Sequence, residues 1–127
     1  QFCSLLKNHW LEEAQHTILD TLMVEQLVAS LEPAEIAAGV EDFFKILDFL
    51  VGGFQMQVQL DLESLARAIG RPFTEVEKQE IQAIQERSYF WTFIGSGISH
   101  AKFVQTFSQV SPGSTARLTE VAEKYSQ

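Results

Sequence analysis

Cysteine is almost absent from this 127-residue chain. Its single copy, Cys3, rules out an intrachain disulfide and any cluster of thiolate ligands. Basic residues are few as well: nine Lys and Arg stand against seventeen Asp and Glu, for a net charge of −8. Nucleic acid and anionic membrane need concentrated positive charge, so this balance argues against both as partners. No run of eighteen apolar residues occurs, and no segment is therefore read as crossing a bilayer. A glycine-rich phosphate loop is missing, since Gly95-Ser-Gly97 falls inside a helical pattern. One cysteine and three histidines at these spacings give no Ser-His-Asp or Cys-His arrangement. Internal repeats, low-complexity tracts and strand-like alternation are missing too.

What the chain does have is apolar bulk. Hydrophobic residues make up 46% of it, ten of them phenylalanine, enough for one domain over residues 1–127 to bury a core. QFCSLLKNHW is helical in pattern from the first residue, with no initiator Met and no signal peptide. The chain reads as the remainder of a longer protein whose N-terminal part is missing. The lone cysteine suits a reducing cytoplasm, and Cys3 is expected to be a buried structural thiol.

The periodicity predicts three long helices and a short one. The first runs from about Phe2 to Ser30, carrying Leu5, Leu6, Leu11, Ile18, Leu19, Leu22, Met23 and Leu27. Glu32-Pro33-Ala34-Glu35 ends it and starts the second, and so short a link predicts antiparallel neighbours. The second, about Ala34 to Ile69, is apolar nearly all round. Its one polar stripe, Glu41, Lys45, Asp48, Gln55 and Gln59, is read as the solvent edge. Gly52-Gly53 predicts a bend or a close helix crossing. Gly70-Arg71-Pro72 stops this helix, and Thr74 with Glu77 forms a capping box that starts the third. The third is expected to reach about Gln109, before Ser111-Pro112-Gly113-Ser114, and a short helix follows over Thr115–Tyr125. The fold class is all-α, an up-and-down bundle of three long helices plus a short C-terminal one.

One stretch carries potential chemistry: HWLEEAQH, residues 9–16. Positions three, four and seven apart share a helix face, so His9, Glu13 and His16 line up, with Asp20 one turn further. Glu13-x-x-His16 projects a carboxylate and an imidazole together, the local arrangement with which helical bundles hold iron or manganese. Folding the chain about residues 32 and 72 sets Asp20 opposite about residue 44, and residue 44 opposite about residue 100. That register permits a cluster of Glu13, His16, Asp20 and His100.

Residues 9–16 resemble the metal helix of the ferritin-like carboxylate-bridged diiron proteins. The spacing His9-x-x-x-Glu13-x-x-His16 is similar to the last metal helix of their arylamine N-oxygenase-like branch. The resemblance covers one helix. It implies that His9, Glu13 and His16 are ligands, that the cofactor is iron, as a di-iron centre, or manganese, and that the activity is an oxygen-dependent oxidation. A second Glu-x-x-His pair, which that family uses, is absent: His100 has Gly97 three residues before it, in GSGISH. The remaining ligands then belong to a missing N-terminal part or to a second subunit, or else the site is degenerate or holds one metal.

Blander readings stand beside these. The His9–Glu13–His16 face reads equally as a polar side of an acidic helix, and His100 as a hydrogen-bonded core histidine. FWTFIGSGISHAKF reads first as packing and second as the wall of an apolar pocket for an organic substrate, between the second and third helices. The competing function is a metal-free helical module that binds a partner chain or itself. A homodimer is expected under either, because three helices leave so apolar a second helix partly uncovered.

Overall fold

In a computed structural model of the chain, residues 2–125 are described. They form α1 (Phe2–Val28), α2 (Pro33–Ile69), α3 (Glu75–Phe90), a π-helical turn at Trp91–Gly95, α4 (Ser96–Ile98), α5 (Ala101–Val110), a 3-10 turn at Pro112–Ser114 and α6 (Thr115–Lys124). There is no strand among the described residues, so the all-α expectation holds. None of these helices is long and apolar enough to cross a membrane.

The punctuation read from the sequence is present. Pro33 opens α2, where its missing N–H costs nothing, and the Glu35 carboxylate accepts from the Glu32 backbone N–H at 2.9 Å. Gly70 closes the helix at φ 73, a left-handed position that other residues resist. At the start of α3 the Thr74 hydroxyl accepts from the Glu77 N–H at 3.3 Å, and the Glu77 carboxylate accepts from the Thr74 N–H at 2.8 Å. Arg71 grips the same carboxylate through both guanidinium nitrogens, at 2.9 and 2.6 Å. That guanidinium, with the Thr74 backbone N–H behind it, lowers the Glu77 pKa to about 2. Thr74→Ala should cost about 1 kcal/mol, as loss of an N-cap does, measured as a lower urea midpoint with an unchanged slope.

The core sits where α2 meets the C-terminal third of the chain. Val40, Phe44 and Leu47 of α2 pack with Ile94, Ile98, Phe107, Leu118 and Tyr125. Phe43 and Phe44 add edge-on and tilted ring contacts to Phe103 and Phe107 of α5. Arg117 ties α6 to α2: its guanidinium lies 3.8 Å from the centre of the Phe44 ring and bonds Glu41 at 2.7 Å. The polar stripe of α2 through Lys45, Asp48, Gln55 and Gln59 is exposed, as read.

Four expectations need correction. The third helix does not run unbroken to Gln109. It passes through a π turn and ends at Ile98, and α5 starts afresh at Ala101. Gly95, Ser96, Gly97 and Ser99 are poor helix formers, and four within five residues let the chain turn. Gly52-Gly53 is not a close crossing either, since a Cβ at each would meet nothing within 4 Å.

The largest difference concerns α1. It was expected to lie antiparallel along α2. Instead it touches chiefly α5, and no residue of it is buried. The apolar residues of α1 lie on every side of it, so no single stripe fixes it along α2, which itself leaves Ile46, Phe49, Met56 and Leu60 exposed. Cys3, expected to be buried, is exposed on this helix.

Candidate metal centre

The residues singled out for chemistry divide between two places. Three of them, His9, Glu13 and His16, come together on α1. His9 Nε2 lies 3.6 Å from Glu13 Oε1, and His16 Nδ1 lies 3.4 Å from Glu13 Oε2. One carboxylate thus has an imidazole at each oxygen, as the four- and three-residue spacings require of a straight helix. The side chains are 65%, 56% and 57% exposed, so neither water nor a second molecule is barred from them.

Asp20 continues the same face one turn on. There it borders an open groove along the end of α1 with Met23, Val24 and Leu27. His100 is elsewhere. It caps α5, with Nδ1 accepting from the Lys102 backbone N–H at 3.3 Å, in the extended conformation a cap requires. The register estimate set it beside Asp20 on the premise that α1 runs along α2, and α1 touches chiefly α5 instead. Among the described residues, no group of three or more His, Cys, Asp or Glu is placed to hold a metal ion. Within one chain, then, α1 supplies donors of the right chemistry from one side, and no other described element completes them.

Position along the helix adds a further regularity. Phe2, Leu6, His9, Glu13, His16, Asp20, Met23 and Leu27 follow one another at alternating steps of four and three. That is the seam spacing of a paired helix. Its ends are apolar and its centre is imidazole and carboxylate. All eight are exposed.

A second polar feature was not anticipated. The Tyr89 hydroxyl donates to Asp61 Oδ2 at 2.6 Å, joining α3 to α2, while Gln57 donates to the other oxygen at 2.8 Å. Tyr89 stacks on Phe54, which stacks in turn on Phe93 of the π turn. The fold about residue 72 read from the sequence sets position 61 opposite about position 83, so that register does not contain this pair. The hydrogen bond to Asp61, then partial burial, raises the Tyr89 pKa above the usual tyrosine value of about 10. The folded state therefore holds this proton more tightly than the unfolded chain. The contribution to stability is complete below about pH 10 and is lost as pH rises through the raised pKa. Tyr89→Phe should flatten the alkaline limb of a stability–pH curve, and an unchanged limb would mean that the bond carries no linkage.

A shallow cavity of about 210 Å³ is lined by Ile98, Val104, Leu118, Thr119 and Ala122 with Ser99 and Glu123 at its edge. It lies among α4, α5 and α6, away from α1, whereas the substrate pocket was expected between the second and third helices. In comparisons with known proteins, no family model, curated protein or solved structure matches this chain.

Proposed function

We propose that this chain is a helical protein of ferritin-like chemistry, in which α1 presents part of a carboxylate–histidine metal site. His9, Glu13 and His16 would hold iron or manganese, with Asp20 adjoining. The observation that carries this reading is the convergence of both imidazoles on the two oxygens of one exposed carboxylate. Ions of that hardness take oxygen and imidazole ligands, the donor types that α1 presents on this face. Three donors from one side of a helix leave the rest of the ion open, so the site is completed by groups outside α1. When bound, such a metal supplies activation of dioxygen, and the class of activity that follows is an oxygen-dependent oxidation of an organic substrate in the cytoplasm. The residues of this chain would orient the ion through Glu13 and set the imidazoles at their four- and three-residue spacings.

A second reading is favoured by a specific observation. Phe2, Leu5, Trp10, Ile18 and Met23 of α1 are each at least 59% exposed, and a helix so exposed and so apolar serves association even without metal. Elemental analysis separates the two. The purified chain is loaded anaerobically with ferrous or manganous salt and desalted without chelator. Retained metal in stoichiometric amount supports the first reading. A metal-free chain that still associates supports the second.

A further inference from the structure

We infer that α1 pairs antiparallel with α1 of a second copy of this chain, along the seam that runs from Phe2 to Leu27, and that the pairing brings the donors of both copies face to face. This rests on the metal reading for its chemistry but stands on separate observations. The seam is palindromic in character. Paired antiparallel about its midpoint, every position meets one whose number brings the sum to 29. Leu6 then faces Met23 of the other copy, His9 faces Asp20, and Glu13 faces His16. Each polar layer matches an imidazole with a carboxylate, and each outer layer matches two apolar side chains.

Charge decides the direction. A parallel pair would set Glu13 against Glu13 and Asp20 against Asp20, like charges that repel at contact distance. The antiparallel pair replaces each clash with a complementary contact, twice over by symmetry. The surface is free to do this. Thr21 and Val28, whose exposure alone is reduced within α1, sit about a quarter-turn away from the seam. The open groove beside Asp20, Met23 and Leu27 lies on the seam itself. Size agrees as well. The 27 residues of α1 give a paired length of about 40 Å at ~1.5 Å per residue. Of its exposed apolar side chains, Phe2, Leu6, Met23 and Leu27 lie on the seam, with Leu5 and Val24 at its edges.

Pairing also supplies what one chain lacks. An ion held by Glu13 and His16 of one copy has His16 and Glu13 of the other across from it, with His9 and Asp20 at the flanks. The donor set then comes from two sides.

The test is register-specific cross-linking. In a Cys3→Ser background, Leu6→Cys and Met23→Cys are made singly and together, and oxidised with glutathione disulfide, which takes up the electrons. Seventeen residues of helix separate the two positions by about 25 Å, so they cannot bond within one chain. Both lie on exposed positions of α1, away from the core. The expected result is a covalent dimer closed by two disulfides in the double variant, and monomer in both single variants. A dimer formed by Leu6→Cys alone would establish the parallel arrangement and overturn the inference. So would a double variant that stays monomeric. Because no metal enters this experiment, cross-linking tests the pairing alone; a cross-linked dimer that retains no iron when it is afterwards loaded anaerobically and desalted would sink the metal reading and keep the pairing. Metal bound by a chain that does not cross-link would do the reverse.

Discussion

Changing Glu13 and His16 to alanine together should abolish retention of iron or manganese while leaving thermal unfolding of the rest of the chain where it was. Both halves of that expectation follow from the structure. Glu13 is the group on which both imidazoles converge, so its loss removes the centre of the donor set and not merely one arm. Removing His16 as well leaves only His9 of the three. A single imidazole on an exposed helix does not hold a divalent ion through desalting. Stability of the rest of the chain should hold because neither side chain touches the core, and exposed ion pairs such as those of Glu13 with His9 and His16 are worth no more than about 1 kcal/mol. Elemental analysis reads the first effect and circular dichroism the second. Metal retained by the double variant would show that α1 is not the site.

Gly95→Ala is the substitution with the largest expected cost to the fold. Gly95 is buried in the π turn, and a methyl there would run into the carbonyl oxygen of Tyr125 and sit 3.0 Å from Cε3 of Trp91. One of these neighbours is backbone and cannot rotate away. Either the C-terminal end of the chain lifts from the core or the turn unwinds. Alanine in place of glycine gains about 0.5–1 kcal/mol of backbone entropy in a helix, while forced overpacking costs about 1–3 kcal/mol, so the clash wins. Gly53→Ala provides the contrast, because its surroundings are open and only the gain applies. Denaturant midpoints should move in opposite directions for the two variants. A Gly95→Ala chain as stable as the wild type would mean that Tyr125 does not pack there.

Much of this architecture was legible in the sequence, and the reason is local. Pro33, the Thr74–Glu77 box, Gly70 and Ser111-Pro112-Gly113-Ser114 act through their own backbone geometry, and each one sits where it was read. The exposed stripe of α2 was legible for the same reason, since an isolated polar row on an apolar helix has one sensible place to go. What depended on more distant packing was not legible. The sequence between Gly95 and His100 fits a continuous helix or a broken one, and the choice falls to Ile94 and Ile98 seating against α2.

The position of α1 was hidden for a different reason. Its apolar residues lie on every side, so no single stripe marks a partner. The alignment of His9, Glu13 and His16 was legible because it needs nothing beyond helical spacing. Whether another element faces them is a tertiary question. The Tyr89–Asp61 bond was not legible either, since the fold about residue 72 sets Asp61 opposite about residue 83.

The measurement that bears most directly on the account is metal content resolved by molecular mass. The wild-type chain, loaded anaerobically with ferrous iron, is separated by size with light scattering and elemental detection on the same stream. Iron is expected in the species of twice the 14.3 kDa chain mass, and absent from any species of chain mass. Iron travelling with the single chain, or a dimer that carries none, would contradict a metal site built between two copies of α1.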